Sequence, residues 1–162
     1  MPEITWFGWL HTIIAIIGIL SGIYSLVKYK LIAPAHQSGK IYLACTFIAA
    51  VTALMIYRHG GFGPAHGLAV LTLLALLGGY LVTLIPFLSG IAAYFQAFCF
   101  SGTLLFHMVP AVTDGLLRLP PSDPFLKSPE NPLLLKLYLV LVVLFVVGYI
   151  AQVVWLRGQA QR

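Results

Sequence analysis

Two histidines in this sequence lie within long apolar runs. His107 belongs to the stretch Ser89 to Asp114, SGIAAYFQAFCFSGTLLFHMVPAVTD, and His11 to WLHTIIAIIGILSG near the N-terminus. Stepping back from His107 at helical spacing gives Thr103, Phe100, Gln96, Ala93 and Ser89, and stepping forward gives Ala111 and Asp114, so one face of that helix is polar or small. On the wheel of the first run, Gly8, His11, Ala15, Gly18, Gly22 and Ser25 share a face, a groove of small residues that admits a helix or a flat cofactor. An ionisable side chain against lipid is costly, so both histidines are expected to look inward and to mark a site. Two imidazoles on facing helices at one depth are what axial ligation of a b-type haem requires.

The rest of the constellation follows from that pair. Gly8, Ala15, Gly18 and Ala111 would leave room for the ring, and Arg58, Arg118, His59 and the Gly60 to Gly63 backbone are cationic or N–H partners for propionates. His66 is a third candidate. It can replace His11 or His107, or join both in a three-histidine zinc or copper site. Against a catalytic zinc or di-iron centre, the spans contain no Asp or Glu, and Asp114 at the membrane edge is the nearest carboxylate. The bland alternative for each histidine is an interhelical hydrogen bond or an interface position, and for His36 and His59 that is the preferred reading. For His11 and His107 a proton relay also stands beside the haem.

Composition dictates the elements that must position these groups. With 60% hydrophobic and 8% charged residues, a chain of 162 residues cannot hide its apolar surface in a water-soluble core. The apolar runs exceed the roughly 20 residues needed to cross hydrocarbon and lack the alternation of outer-membrane strands. The expectation is an all-α integral membrane protein, a five-transmembrane-helix bundle in one membrane domain over 1–162. Its helices are placed at about 4–27, 41–57, 66–85, 90–112 and 133–156, with a proline-rich surface loop over 113–132. The second span has a small-residue face, Gly39, Thr46, Ala49, Ala50 and Ala53, expected against the first. Cys45 and Cys99 fall at different depths and read as small buried hydrophobes. Nothing in the turn Arg58 to Gly67 has the spacing of a phosphate loop.

Five crossings put the termini on opposite sides. The N-terminal side, side A, then carries Arg58, Arg118, Lys127 and Lys136 with all four acids, Glu3, Asp114, Asp123 and Glu130; side B carries Lys28, Lys30, Lys40, Arg157 and Arg162. The net charge of +5 suits a membrane surface and not nucleic acid. Counting Lys and Arg alone makes side B cytoplasmic, N-terminus outside and C-terminus inside. His11 lies about seven residues in from side A, roughly 10 Å at 1.5 Å per residue, and His107 is expected five to seven residues before its helix leaves on the same side.

The segments WLHTIIAIIGILSG, AHQSGKIYL and GPAHG resemble a family of small bacterial membrane proteins of unknown function and, more loosely, the transmembrane b-type cytochromes of the cytochrome b561 kind, over roughly Trp9 to Leu84. The resemblance implies a bacterial inner-membrane location and electron transfer by haem b, with His11, His66 and His107 as candidate ligands. It also implies His36 as a ligand of a second haem on side B, where the sequence supplies no partner at its depth. The leading functional expectation is a membrane haem protein passing electrons to or from a quinone or a partner protein. The alternatives are a non-catalytic accessory subunit of a larger membrane complex, and a histidine-based metal site or transporter.

Overall fold

The computed structural model describes residues 5–56 and 61–161. Five helices are long and apolar enough to cross a membrane, and the described residues contain no strand. They are α1 (Trp6–Tyr29), α2 (Gln37–Leu54), α3 (Pro64–Leu81), α4 (Ser89–Arg118) and α5 (Pro132–Ala160). Two short 3₁₀ turns, Val82–Leu84 and Pro86–Leu88, join α3 to α4. The protein is an all-α membrane bundle, with large apolar side chains such as Leu20, Leu74, Leu139 and Val154 exposed around it, as lipid-facing surface requires.

The helix ends have local causes. Thr5 caps α1 through its hydroxyl, which accepts from the Gly8 N–H at 3.1 Å, and Asn131 caps α5 by accepting from the Leu133 N–H. The α1 C-terminus closes on Lys30 in the left-handed region, φ 66, with its N–H on the Leu26 carbonyl.

α1 and α2 form an antiparallel hairpin whose mirror point lies near Ile32. A Cβ on Gly18 would stand 3.2 Å from Cys45 Cβ, and one on Gly22 would stand 2.6 Å from the Tyr42 ring. The small faces of the two helices therefore meet, and the groove on α1 is filled by α2 at these two levels. α3 and α4 form the second hairpin, where the Phe100 ring lies over Gly79 and Gln96 Nε2 donates to the Gly79 carbonyl at 2.9 Å. Cys45 and Cys99 are free, and Cys99 lies among Ile32, Tyr42, Leu43, Leu76 and Phe100 in the central core.

α5 packs on α4. Ser101 and Gln152 exchange two buried hydrogen bonds, Ser101 Oγ to Gln152 Oε1 at 3.0 Å and Gln152 Nε2 to Ser101 Oγ at 2.9 Å. Phe98, Phe145 and Tyr149 add an aromatic cluster.

One boundary departs from expectation by two turns. The segment expected to leave the membrane at Thr113 stays helical to Arg118, so the loop covers only 119–131. Pro110 removes one backbone donor without ending the helix, since the residues after it are held from outside. The Thr113 hydroxyl bonds the Val109 carbonyl and the Tyr138 hydroxyl, and Arg118 reaches Asp114 at 3.5 Å. The loop then folds back: Leu126 N–H donates to the Leu116 carbonyl, and Leu126 packs with Leu117 and Leu134. Thirty residues at 1.5 Å rise make α4 about 45 Å long, well beyond the roughly 30 Å hydrocarbon thickness.

Gly39 is the tightest point of the first hairpin, because a Cβ there would fall 2.0 Å from the Ala33 carbonyl oxygen, an atom of the backbone. Gly39→Ala should lower the midpoint of thermal unfolding in detergent by a destabilisation of about 1–3 kcal/mol. Gly90→Ala, where nothing stands within 4 Å, should leave the midpoint within error.

Candidate functional site

His11 enters the bundle near the start of α1, where the hairpin sets it opposite Thr52 of α2. His11 Nδ1 lies 2.9 Å from Thr52 Oγ1. The same hydroxyl points at the Ile48 carbonyl, 2.8 Å away, and lies 3.1 Å from the Ala49 carbonyl. Carbonyls only accept, so the single Thr52 proton goes to the backbone and Thr52 accepts from His11. His11 then carries its proton on Nδ1, and its Nε2 keeps the lone pair. A second group that fixes a ligand's tautomer through the other ring nitrogen is a recurring arrangement around metal-bound histidine.

His107 comes from α4, and the two imidazoles lie within electrostatic reach of one another. His107 Nε2 is buried with no hydrogen-bond partner. The His107 ring meets the Tyr42 ring edge-on, with centroids 6.4 Å apart. Tyr42 is fully buried, and its hydroxyl lies 2.6 Å from Thr103 Oγ1, one turn before His107 on α4. An orphaned ring nitrogen inside a bundle is costly unless something binds it. The pair therefore presents two imidazoles on different helices, one with its proton set by Thr52 and one with Nε2 unengaged by protein.

The polar stripe of α4 is inward over its middle and not at its ends. Phe100 and Thr103 are fully buried and Gln96 bonds α3, but Ser89, Ala93 and Ala111 are exposed. Of the positions expected to leave room for a ring, Gly18 is covered by Cys45. That packing restricts any flat group to the side A half of the His11 face.

His66 serves another purpose. Its Nδ1 accepts from the Gly63 N–H at 3.1 Å and its own N–H donates to the Gly63 carbonyl, which closes the start of α3. Phe62 stacks on the ring at 5.2 Å. With Nδ1 accepting, the neutral ring holds its proton on Nε2, so its lone pair is committed to the helix start. Among the described residues no three His, Cys, Asp or Glu side chains gather into a group able to hold a metal ion. Thus the three-histidine zinc or copper site is not assembled. His36 starts α2 on side B and stacks on Tyr29, centroids 3.7 Å apart and rings 5° from parallel.

Arg118 lies near the end of α4, 11 residues past His107, and is paired with Asp114. Arg58 and His59, the other proposed propionate partners, lie outside the described residues.

Thr52 and Tyr42 are the members of the site that the sequence did not flag. Reflection about Pro34 would pair His11 with position 57, whereas the observed mirror point near Ile32 pairs it with Thr52, so the pairing depends on how the turn packs. No protein-family model, no curated protein and no solved structure matches this chain.

Replacing the acceptor tests the tautomer. In Thr52→Val, ¹⁵N spectra of histidine-labelled protein in micelles should show His11 moving from the Nδ1–H form towards a mixture, with the His36 signals unchanged.

Proposed function

We propose that this protein is a membrane-embedded b-type haem protein that carries electrons to or from a quinone or a partner protein, with His11 and His107 as the axial ligands. The observation that supports it is the buried His107 Nε2, without a hydrogen-bond partner, on a helix that packs against the one carrying His11. His107 would offer Nε2 to iron with His11 as the second ligand, and haem bound there would supply one-electron chemistry.

The chain's own residues set the conditions. Thr52 orients His11 by accepting a hydrogen bond from its Nδ1–H. Tyr42, held by Thr103, fixes the edge of the His107 ring. Arg58 and Arg118 stay the candidate propionate partners, the latter competing with Asp114. A single haem is proposed, because His36 is stacked on Tyr29 at the opposite end of the hairpin.

We place the protein in a bacterial inner membrane with the N-terminus outside. The support is the excess of Lys and Arg on side B, where Lys28, Lys30 and Lys40 flank the first hairpin turn and Arg157 and Arg162 the C-terminus.

Protein purified from a haem-sufficient host should show a Soret band, with a split α band on dithionite reduction. His107→Ala should lose that band and His36→Ala should keep it. A colourless protein that binds zinc or copper would favour the metal-site or transporter reading. A colourless protein that purifies only with other subunits would favour an accessory role in a larger complex.

A further inference from the structure

The turn between α1 and α2 opens a cavity of about 430 Å³, lined by Leu20, Ser21, Tyr24, Tyr29, Gln37, Ser38 and Ile41. It lies at the side B end of the first hairpin, far along α1 from His11. Its lining is graded. Leu20 and Ile41 face hydrocarbon at one end, while Ser21, Gln37, Ser38 and the two tyrosines supply polar groups at the other.

A cation stands beside the polar end, against two tyrosines of the lining. Lys28 Nζ donates to the Tyr24 hydroxyl at 2.9 Å and sits 5.3 Å from the centroids of both the Tyr24 and Tyr29 rings. Even with Tyr29 as a second partner, an ammonium proton is left for another acceptor. The Tyr29 ring is braced from behind by His36. His36 makes no side-chain cap on the α2 N-terminus that follows it. All four acids of the sequence belong to the opposite side of the five-crossing topology, so nothing acidic competes for Lys28.

We propose that this cavity binds an anionic glycerophospholipid, its phosphate on Lys28 with the start of α2 as a further donor. The glycerol lies by Ser21 and an acyl chain follows Leu20 and Ile41. The apolar end decides between a lipid and a free anion, because inorganic phosphate gains nothing from Leu20 and Ile41. The site is independent of the histidine pair.

Native mass spectrometry of the full-length protein in neutral detergent tests it, with phosphatidylglycerol, phosphatidylcholine or inorganic phosphate added in turn. Phosphatidylglycerol should be retained about fivefold or more over phosphatidylcholine. Lys28→Gln should abolish that preference, while Lys127→Gln on side A should keep it. Tyr24→Phe, which frees Lys28 from its anchor, should weaken it in protein that still elutes as a single species, and so serves if Lys28→Gln does not fold. Equal retention of the two lipids, an unchanged preference in both Lys28→Gln and Tyr24→Phe, or retention of inorganic phosphate as strong as that of phosphatidylglycerol would each overturn the proposal.

Discussion

The hydrogen bond from Tyr42 to Thr103 holds the arrangement on which the histidine pair depends. Between helices in lipid there is no hydrophobic drive to associate, so close packing and interhelical hydrogen bonds must do the work. Tyr42 combines both. Its ring lies against Gly22 of α1, its hydroxyl reaches Thr103 and the Phe100 carbonyl of α4, and its edge meets His107. The side chain thus sits between the two hairpins and sets how far His107 stands from α1. A Cβ at Gly22 would push directly on that ring, so the approach of the first hairpin to α4 is fixed by a missing side chain on one helix and a phenol on the next.

The architecture was legible in the sequence because its cause is bulk composition. Five apolar runs of spanning length allow one solution when every backbone group must be paired inside its own segment. The ends were less legible for the same reason. An α4 expected to stop where Thr113 and Asp114 bring polarity in fact continues, since polar residues at a membrane edge are compatible with either outcome. What extends it is tertiary: Tyr138 on the Thr113 hydroxyl, and Leu126 returning to the Leu116 carbonyl and the Leu117 side chain. Local pattern carries no record of a loop residue docking 10 positions back along the chain.

The candidate site shows the same division. His11 and His107 were visible because an ionisable residue in an apolar run violates the local rule. Their partners were not, because Thr52 and Tyr42 violate nothing. A threonine that back-bonds its own helix and a tyrosine near a membrane edge are ordinary, and only the register of α1 against α2 turns the first into an acceptor for His11. His66 erred in the opposite direction. It looked like a third ligand from its depth and type, yet its nitrogen closes the first turn of α3, a role that a glycine at the preceding cap position cannot fill with a side chain of its own.

Some buried polar groups in this bundle are spent on holding helices together, and others, His107 Nε2 among them, are not. Ser101 and Gln152 satisfy each other across α4 and α5, so their hydrogen-bonding capacity is spent on holding a helix that otherwise meets lipid along most of its length. Gln96 is likewise spent on the Gly79 carbonyl. His107 lies on the same helix, six residues past Ser101, and its Nε2 has no partner. If the sole role of an imidazole here were to join helices, the Thr103 hydroxyl one turn away would be the economical acceptor or donor, but that hydroxyl is engaged by Tyr42. The packing thus spends the Thr103 hydroxyl on Tyr42, whose ring meets His107 edge-on, and under the proposed haem reading the unpartnered Nε2 is the atom offered to iron.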